Sequence, residues 1–189
     1  MTRHAFVVAM LVAIAVPPAQ AQTGLFVGAH LTGASLTYKD AAQNLDPGSG
    51  LGAQAGLTLG NSLGVLVNYD KLTLGSSTGD TELEQWDLLG RLQMVGIGPV
   101  QAYLTAGVTG RTSISRFFDG SAGDFDFRGV NPTAGLTGQI MLTSKLAVDG
   151  GVMWTFGRFN DTQGYNASRV EATGSRVFVG ASYYLFGGK

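Results

Sequence analysis

The sequence predicts an all-β protein, an eight-stranded antiparallel up-and-down transmembrane β-barrel. Three observations lead to this prediction. Stretches in which apolar and polar residues alternate occur eight times, the connections between them alternate between long and short, and one face of every stretch carries no charge. Strict alternation is typical of a strand with two different faces. Short turns at one end and longer loops at the other are typical of barrels that span a membrane.

Composition excludes several classes of protein. The chain has 189 residues, of which 29 are glycine, and only 13% are charged. Its 12 Lys and Arg nearly balance 13 Asp and Glu, so it has no strong field for holding nucleic acid, and we expect no nucleic-acid partner. It contains no cysteine, which excludes a disulfide scaffold, a thiolate metal site and a cysteine nucleophile.

A targeting segment precedes the barrel. A short basic start leads into an apolar run over residues 5–16, which is shorter than the roughly 20 apolar residues of a membrane-spanning helix. A Pro-Pro pair ends the run, and Ala19-Gln20-Ala21 has the small-x-small form that signal peptidase recognises. We therefore expect residues 1–21 to be a cleaved signal peptide and residues 22–189 to form the barrel domain.

The first four alternating stretches have apolar residues at every second position, with glycine and polar residues between them. This period of two is that of a strand with one apolar face. In chain order they are 24–38 with Leu25, Val27, Ala29 and Leu31; 50–60 with Leu51, Ala53, Ala55, Leu57 and Leu59; 63–74 with Leu63, Val65, Val67 and Tyr69; and 82–94 with Trp86, Leu88, Leu92 and Met94.

The last four stretches repeat the pattern. At about 11–15 residues all eight exceed the usual strand of about 5–6, and they suit tilted spanning strands of about 9–11 residues with some overhang. In chain order they are 99–112 with Val100, Ala102, Leu104, Ala106 and Val108; 130–142 with Ala134, Leu136, Ile140 and Leu142; 146–158 with Leu146, Val148, Val152, Trp154 and Phe156; and 174–186 with Val177, Val179, Ala181, Tyr183 and Leu185.

The connections and the outward aromatic residues indicate two different ends. The long connections are 39–49, 75–81, 113–129 and 159–173, and the short ones are Asn61-Ser62, Val95–Gly98 and Thr143–Lys145. An even strand count then puts both termini at the short-turn end. Amphipathic rings belong at the two interfaces of a membrane. We assign this role to Tyr69, Trp86, Trp154 and Phe156 near the long connections, and to Tyr183 near the short turns.

Two stretches carry a resemblance to a known family. Gly24–Ala29 opens the first strand and Val179–Phe186 closes the last, and with the eight-stranded pattern they resemble small outer-membrane barrels of the OmpA/OmpX type, in the porin-like family. Gly180, Tyr183 and Leu185 match the insertion signal that the barrel-assembly machinery reads. Family members usually stop at a terminal aromatic, whereas three residues follow Phe186 here.

The resemblance implies where the protein is found and what it meets. It implies a bacterial outer membrane location after signal cleavage, with both termini in the periplasm. It also implies contact with outer-membrane lipid and lipopolysaccharide, and with the barrel-assembly machinery during insertion. We expect a monomer without a cofactor.

His30 is the only histidine after the signal. Some barrels of this size are lipid A deacylases that use a His-x-Ser pair with a Glu. Here the stretch is His30-Leu31-Thr32, in which the serine is missing, no carboxylate is obviously near, and parity turns His30 inward. We expect a lumen histidine bonded to its neighbours, no catalytic or metal-binding residue, and no enzyme activity.

Six charged residues point inward by parity: Asp70, Asp87, Arg91, Arg111, Asp149 and Arg176. They either line a conducting pore or pair with one another and fill the lumen. An eight-stranded barrel is nearly filled by its own side chains, so we favour a lumen charge network that closes the barrel. We expect Arg91 to have a carboxylate partner, although the other pairs cannot be assigned from the sequence.

The two longest connections are the most distinctive segments. They contain exposed-surface candidates for binding a partner: Arg116, Phe117, Phe118, Asp119, Phe125, Phe127, Phe159 and Tyr165. Aromatic residues beside charges form binding surfaces. The equally weighted alternative is that residues 113–129 extend the strands above the membrane, with Phe117 and Phe127 pairing across a hairpin.

The leading functional hypothesis is a structural outer-membrane barrel whose surface loops bind partners or mediate adhesion. Three alternatives belong to other classes. The first is a narrow passive conduit for small solutes or ions, the second a lipid-modifying barrel enzyme, and the third a secreted lipocalin-like binder whose apolar faces would point inward.

Overall fold

A computed structural model describes residues 23–39, 45–60, 62–75, 79–118, 121–166 and 169–186. The expected signal peptide, Asp119 and the three residues after Phe186 lie outside these ranges. No helix in the described part of the chain is long and apolar enough to cross a membrane.

The described chain forms ten strands, of which eight are long and two are short. They are β1 (Gly24–Tyr38), β2 (Gly48–Leu59), β3 (Leu63–Leu74), β4 (Thr81–Ile97), β5 (Val100–Phe118), β6 (Ser121–Met141), β7 (Leu146–Thr155), β8 (Arg158–Phe159), β9 (Asp161–Gln163) and β10 (Val170–Phe186).

The long strands close into a ring. From β1 to β7 each strand pairs antiparallel with the next, β7 pairs with β10, and β10 returns to β1. The short strands extend the wall, β8 beside β10 and β9 beside β6. Where the ring is closed, each long strand has a partner on both sides, which a membrane requires because hydrocarbon offers no hydrogen-bond partner to the backbone. The predicted eight-stranded antiparallel barrel is confirmed.

The two faces of the wall follow the predicted parity. In β3, buried and exposed positions alternate from Leu63 to Leu74 without interruption. Large apolar side chains face outward around the ring, among them Val27, Leu31, Leu51, Val67, Leu88, Leu104, Leu136, Val177 and Val179. A lipocalin-like arrangement with apolar faces turned inward is therefore wrong for the spanning part of the wall.

The observed strand bounds agree with the predicted ones for some strands and differ for others. The bounds predicted for β1 and β3 are those observed, whereas the expected long connection 113–129 is largely strand. It forms a hairpin in which β5 and β6 continue to Phe118 and Ser121. Charged residues such as Arg116, Asp124 and Arg128 are exposed on its outward face, and in the sequence this change of polarity looks like the end of a strand.

The connection between β7 and β8 needs a residue with a positive φ angle. β7 ends at Thr155, and the chain then passes through Gly157, whose φ is 145°. Only glycine adopts this conformation without strain, and a Cβ there would also overlap Asn131 Oδ1. The predicted strand 146–158 is therefore interrupted at this point.

Candidate functional site

The centre of the lumen holds a charge cluster built from three strands. Arg176 of β10 reaches across the barrel and donates to Asp70 of β3 through Nη1 and to Asp87 of β4 through Nη2. Both aspartates are completely buried. The shared guanidinium therefore links β10 to β3 and β4, which are not its neighbours in the ring.

Further hydrogen-bond donors surround both carboxylates. His30 Nε2 donates to Asp70 Oδ1 at 2.7 Å. Asp87 accepts from Thr109 Oγ1 at 2.6 Å and from Asn68 Nδ2 at 3.2 Å. Every buried carboxylate of this cluster thus has both a guanidinium and other hydrogen-bond donors as partners.

The expectation that no carboxylate lies near His30 is wrong. In the register of the sheet, His30 lies opposite Gly52, and Gly52 lies opposite Asp70 on the next strand. A Cβ on Gly52 would overlap both His30 Nε2 and Asp70 Oδ1, so glycine leaves the space in which the two side chains meet. The contact joins residues 40 positions apart and depends on register, which the sequence does not provide.

Arg91 does not have the carboxylate partner that we expected. Its guanidinium lies 4.8 Å from the centre of the Phe26 ring and 4.4 Å from that of Tyr103. Asp149 accepts instead from Gln54 Nε2 at 3.2 Å and from Gln139 Nε2 at 2.7 Å. The short-turn end of the lumen is thus held by cation–π contacts and amides, without an ion pair among the described residues.

Arg111 lies at the other side of the central cluster. Its Nη2 donates to the Ala172 carbonyl at 3.0 Å, and its guanidinium lies 5.0 Å from the centre of the Phe159 ring. Next to it, the Tyr38 hydroxyl bonds Ser113 Oγ at 2.9 Å. Burial raises the pKa of Tyr38 to about 12 because the phenolate would be desolvated.

All six predicted lumen charges lie inside the barrel. Their exposures are 0% for Asp70 and Asp87, 2% for Arg111, 5% for Arg91 and Arg176, and 7% for Asp149. The described lumen thus holds three carboxyl and three guanidinium groups, and of these guanidinium groups only that of Arg176 forms ion pairs.

Above the charges lies an apolar cluster that we call the aromatic cap. Its rings interlock closely, with centroids 4.6 Å apart for Phe118 and Phe127 and 5.1 Å apart for Tyr38 and Phe118. The cap comprises Ala34, Leu36, Tyr38, Leu72, Leu74, Leu83, Phe118, Phe125, Phe127, Phe159, Val170 and Ala172, with Leu45 and Tyr165 packed against it. It fills the barrel at the end that carries the long connections.

Most of the predicted surface aromatics belong to this cap. Phe118, Phe125, Phe127 and Phe159 are buried, so their assignment to an exposed loop surface is wrong. The reason is that inward parity continues along the extended β5 and β6. Tyr165 is half-buried against the cap.

The expected pairing of Phe117 with Phe127 is also wrong. Phe127 lies opposite Ser113, and the partly buried Phe117 lies opposite Ala122. Of the predicted surface residues in this hairpin, Arg116 is exposed. Strand extension, one of the two alternatives for residues 113–129, therefore describes the segment.

The five predicted interfacial aromatics all face outward. Tyr69 and Trp86 lie opposite each other on β3 and β4, and the Trp86 ring covers Gly110, where a Cβ would overlap it. All five are half exposed or nearly so: Tyr69, Trp86, Trp154, Phe156 and Tyr183. Their position in a membrane interface stays a prediction.

Little space remains between the charge cluster and the cap. A cavity of about 10 Å³, bordered by Leu36, Gln85, Arg111 and Arg176, lies between them. That volume accommodates about one water molecule. Within the described residues, no group of three or more His, Asp or Glu side chains is arranged to hold a metal ion.

The chain is similar to known outer-membrane proteins, both in its sequence and in its fold. The family model for the outer membrane protein β-barrel domain matches residues 5–184. No curated protein sequence matches the chain.

Three solved structures with the same fold illustrate the likeness. Neisserial surface protein A is 15% identical, with 85% of this chain and 96% of that chain covered and a TM-score of 0.64. The attachment invasion locus protein Ail of Yersinia pestis is 10% identical, with 87% and 100% covered and a TM-score of 0.59. OprG of Pseudomonas aeruginosa is 14% identical, with 88% and 97% covered and a TM-score of 0.55.

Proposed function

This chain belongs to the outer membrane protein β-barrel domain family, and from that premise we propose that it is a closed structural barrel that presents a rigid binding surface outside the cell. Membership places it in the bacterial outer membrane. The observation that carries the proposal is the filled lumen, in which a charge cluster and an aromatic cap lie one above the other.

Closure of the lumen argues against the conduit alternative. A conducting path needs continuous water along the axis, and an eight-stranded barrel is only about wide enough for its own side chains. Here Arg176 spans the lumen to Asp70 and Asp87, and the cap buries several aromatic rings directly beyond them. An ion would have to displace both layers.

The proposed orientation puts the long connections outside and both termini in the periplasm. Outer-membrane barrels have short periplasmic turns and longer outer loops. The exposed charges of the described chain agree with this, because nearly all lie at the long-connection end, whereas Lys145 lies in a short turn.

The proposed binding surface is the outer face of the β5–β6 hairpin. The cap holds the inward side chains Phe118, Phe125 and Phe127, so the groups offered to a partner are polar ones such as Arg116 and Asp124. A surface that is rigid before binding loses little entropy when it binds. Ail, the attachment invasion locus protein of Yersinia pestis, has the same fold, which supports adhesion as the type of function.

The surroundings of His30 give no support to the alternative of a lipid-modifying barrel enzyme. Its Nε2 is bonded to Asp70, and its ring centre lies 5.3 Å from that of Phe178. No serine or threonine hydroxyl bonds to the imidazole among the described residues, so a histidine-activated nucleophile finds no support here.

Two measurements test the proposal. Purified protein in planar bilayers should give no steady single-channel current, and currents of porin size would refute the closed barrel. Cells displaying Arg116→Glu should adhere less to a host-cell or matrix surface than cells displaying Lys71→Glu, which makes the same charge change on β3. Equal adhesion of wild type and both variants would refute the hairpin as the binding surface.

A further inference from the structure

Arg111 is a buried cation without a carboxylate partner. Its side chain is 2% exposed, and none of the ion pairs within the described ranges includes it. The hydroxyl of the neighbouring Tyr38 does not supply a negative charge either, because burial raises its pKa to about 12. A buried charge is costly unless an opposite charge and hydrogen bonds replace the water that it has lost.

The contacts that Arg111 makes use only part of its guanidinium. Nη2 donates to the Ala172 carbonyl at 3.0 Å, and the group lies over the Phe159 ring at 5.0 Å from its centre. Nε and Nη1 are buried and have no hydrogen-bond partner in the described part of the chain. Both nitrogens carry donors in a fixed planar arrangement, so these donors are left for a ligand.

The register of the sheet explains why the charge of Arg111 is unpaired. Arg111 on β5 lies opposite Gln85 on β4, and the Gln85 side chain is a neutral amide. The two aspartates of the central cluster, Asp70 and Asp87, are both paired with Arg176. An amide therefore stands at the position from which a carboxylate would neutralise Arg111.

A small cavity, which we call the lumen cavity, lies beside the unused donors. It measures about 10 Å³, and its border includes Gln85, Arg111, Thr155 and Arg176. Gly174 also borders it, and a Cβ on Gly174 would lie 3.3 Å from Arg111 Nη1. The volume is about that of one water molecule. It therefore admits a water molecule or a monatomic ion and excludes sulfate, phosphate and organic acids.

An anion suits the lumen cavity better than a water molecule. Water would accept hydrogen bonds from Arg111 but would leave its positive charge without a counter-charge. The described border contains two guanidinium groups and no carboxylate, so an anion there meets no like charge at contact distance. Hydrogen bonds between a charged donor and a charged acceptor are about twice as strong as neutral ones.

We propose that the lumen cavity binds a chloride ion, which is the counterion of Arg111 inside the barrel. Nε and Nη1 of Arg111 donate to the ion, and the Gln85 amide borders it on the opposite strand. The ion lies between the central charge cluster and the aromatic cap, and so it links the two layers that fill the lumen. The inference is independent of the β5–β6 hairpin as a binding surface and of the orientation in the membrane.

The test is equilibrium urea unfolding of the purified full-length protein in lipid vesicles, because unfolding opens the lumen and releases the ion. Sodium chloride or sodium bromide replaces sodium glutamate at constant ionic strength, since glutamate is too large for the cavity. An ion that binds only the folded protein lowers the unfolding equilibrium constant, by up to about tenfold for each tenfold rise in its concentration. We expect this dependence with chloride and with bromide.

Two variants should remove the halide dependence for different reasons. Arg111→Met removes the cation and its donors. Gln85→Glu places a carboxylate opposite Arg111, so the chain itself supplies the missing charge and repels the ion. The matched control is Arg91→Met, which removes another lumen guanidinium that does not border the cavity and should leave the halide dependence unchanged.

Several results would overturn the proposal. One is the same unfolding curve of the wild type in halide and in glutamate, and another is an equal halide effect in wild type and Arg111→Met, which would show a general salt effect. If Arg111→Met does not fold, Gln85→Glu decides, because a halide dependence that persists in Gln85→Glu would refute the site.

Crystals grown in bromide provide an independent measurement. Anomalous scattering should show one bromide within hydrogen-bond distance of Arg111 Nε or Nη1. Density in the cavity without an anomalous signal would assign the cavity to water and refute the anion. A bromide peak without halide-dependent unfolding would show an adventitious ion only.

Discussion

Removal of the Arg176 guanidinium tests whether the charge cluster holds the barrel together. In Arg176→Met the side chain keeps much of its volume, but Asp70 and Asp87 lose the cation they share while remaining fully buried. Breaking a buried ion pair by removing one partner costs about 3–5 kcal/mol. Thr109, Asn68 and His30 still donate to the carboxylates, so we expect the lower half of that range.

The assay is urea unfolding in detergent micelles or lipid vesicles, followed by tryptophan fluorescence and unboiled gel mobility. The matched control is Arg91→Met, which removes a guanidinium from the same lumen. Arg91 lies on two rings and makes no ion pair within the described chain, so its loss costs about 0.5–2 kcal/mol on the scale of cation–π contacts.

A triple variant shows how much of the stability lost in Arg176→Met comes from the broken ion pairs and how much from altered packing. Adding Asp70→Asn and Asp87→Asn to Arg176→Met removes the stranded charges and should recover much of the stability. The reasoning is refuted if Arg176→Met destabilises the barrel no more than Arg91→Met, or if the triple variant is less stable than Arg176→Met alone.

Four further predictions concern other parts of the barrel. Leu104→Arg places a charge on the lipid face and should cost about 2–4 kcal/mol of folding free energy in bilayers, whereas Leu104→Ala should not block insertion. Gly52→Ala forces a methyl group between His30 and Asp70 and should lower unfolding free energy by about 1–3 kcal/mol, measured by the same urea titration. Phe127→Ala, at 0% exposure in the cap, should cost about 3–5 kcal/mol and speed proteolysis of the hairpin. The pKa of Tyr38 is about 12 in the folded protein against about 10 in the unfolded chain, so the contribution of Tyr38 to the free energy of unfolding is complete below pH 10 and is lost as the pH rises towards 12. Phenolate absorbance in a pH titration should show one group that ionises late, and Tyr38→Phe should lack it.

The closed ring was predictable because it depends on a local property of the chain. Alternation with a period of two needs no knowledge of distant contacts, and it gave the correct inward and outward faces of the eight long strands. It failed over residues 113–129, where the outward side chains turn polar although the strands continue. Beyond lipid, an apolar outward face is no longer required, so its loss there does not indicate the end of a strand.

The lumen charges show a second limit of sequence reasoning. Parity gave the inward direction of Arg176 and Asp70, but these residues are 106 positions apart and meet through the shear of the barrel. Only the register of several strands together decides that contact. Arg91 shows a different limit, because a rule that pairs buried cations with carboxylates overlooks aromatic rings as partners.

The polarity of the inward and outward faces of the wall reverses along the barrel axis, and this reversal explains why the aromatic cap is there. In the spanning part, apolar side chains face outward and polar ones inward. At the long-connection end, Leu72 and Leu83 face inward, while Lys71 faces outward and bonds Glu82 at 3.1 Å and Glu84 at 3.4 Å. At the long-connection end the barrel thus has a hydrophobic core of its own, whose burial stabilises that part of the fold.

The aromatic cap affects how much conformational entropy the β5–β6 hairpin would lose on binding a partner. Loops outside a membrane usually lose conformational entropy when they meet a partner, at about 1–2 kcal/mol per residue of ordered backbone. The β5–β6 hairpin is ordered in advance, because Phe118, Phe125 and Phe127 are packed inside the barrel end. Under the proposed function, we expect substitutions on its outward face to change binding of a partner without changing the fold, and substitutions of the cap residues to change both.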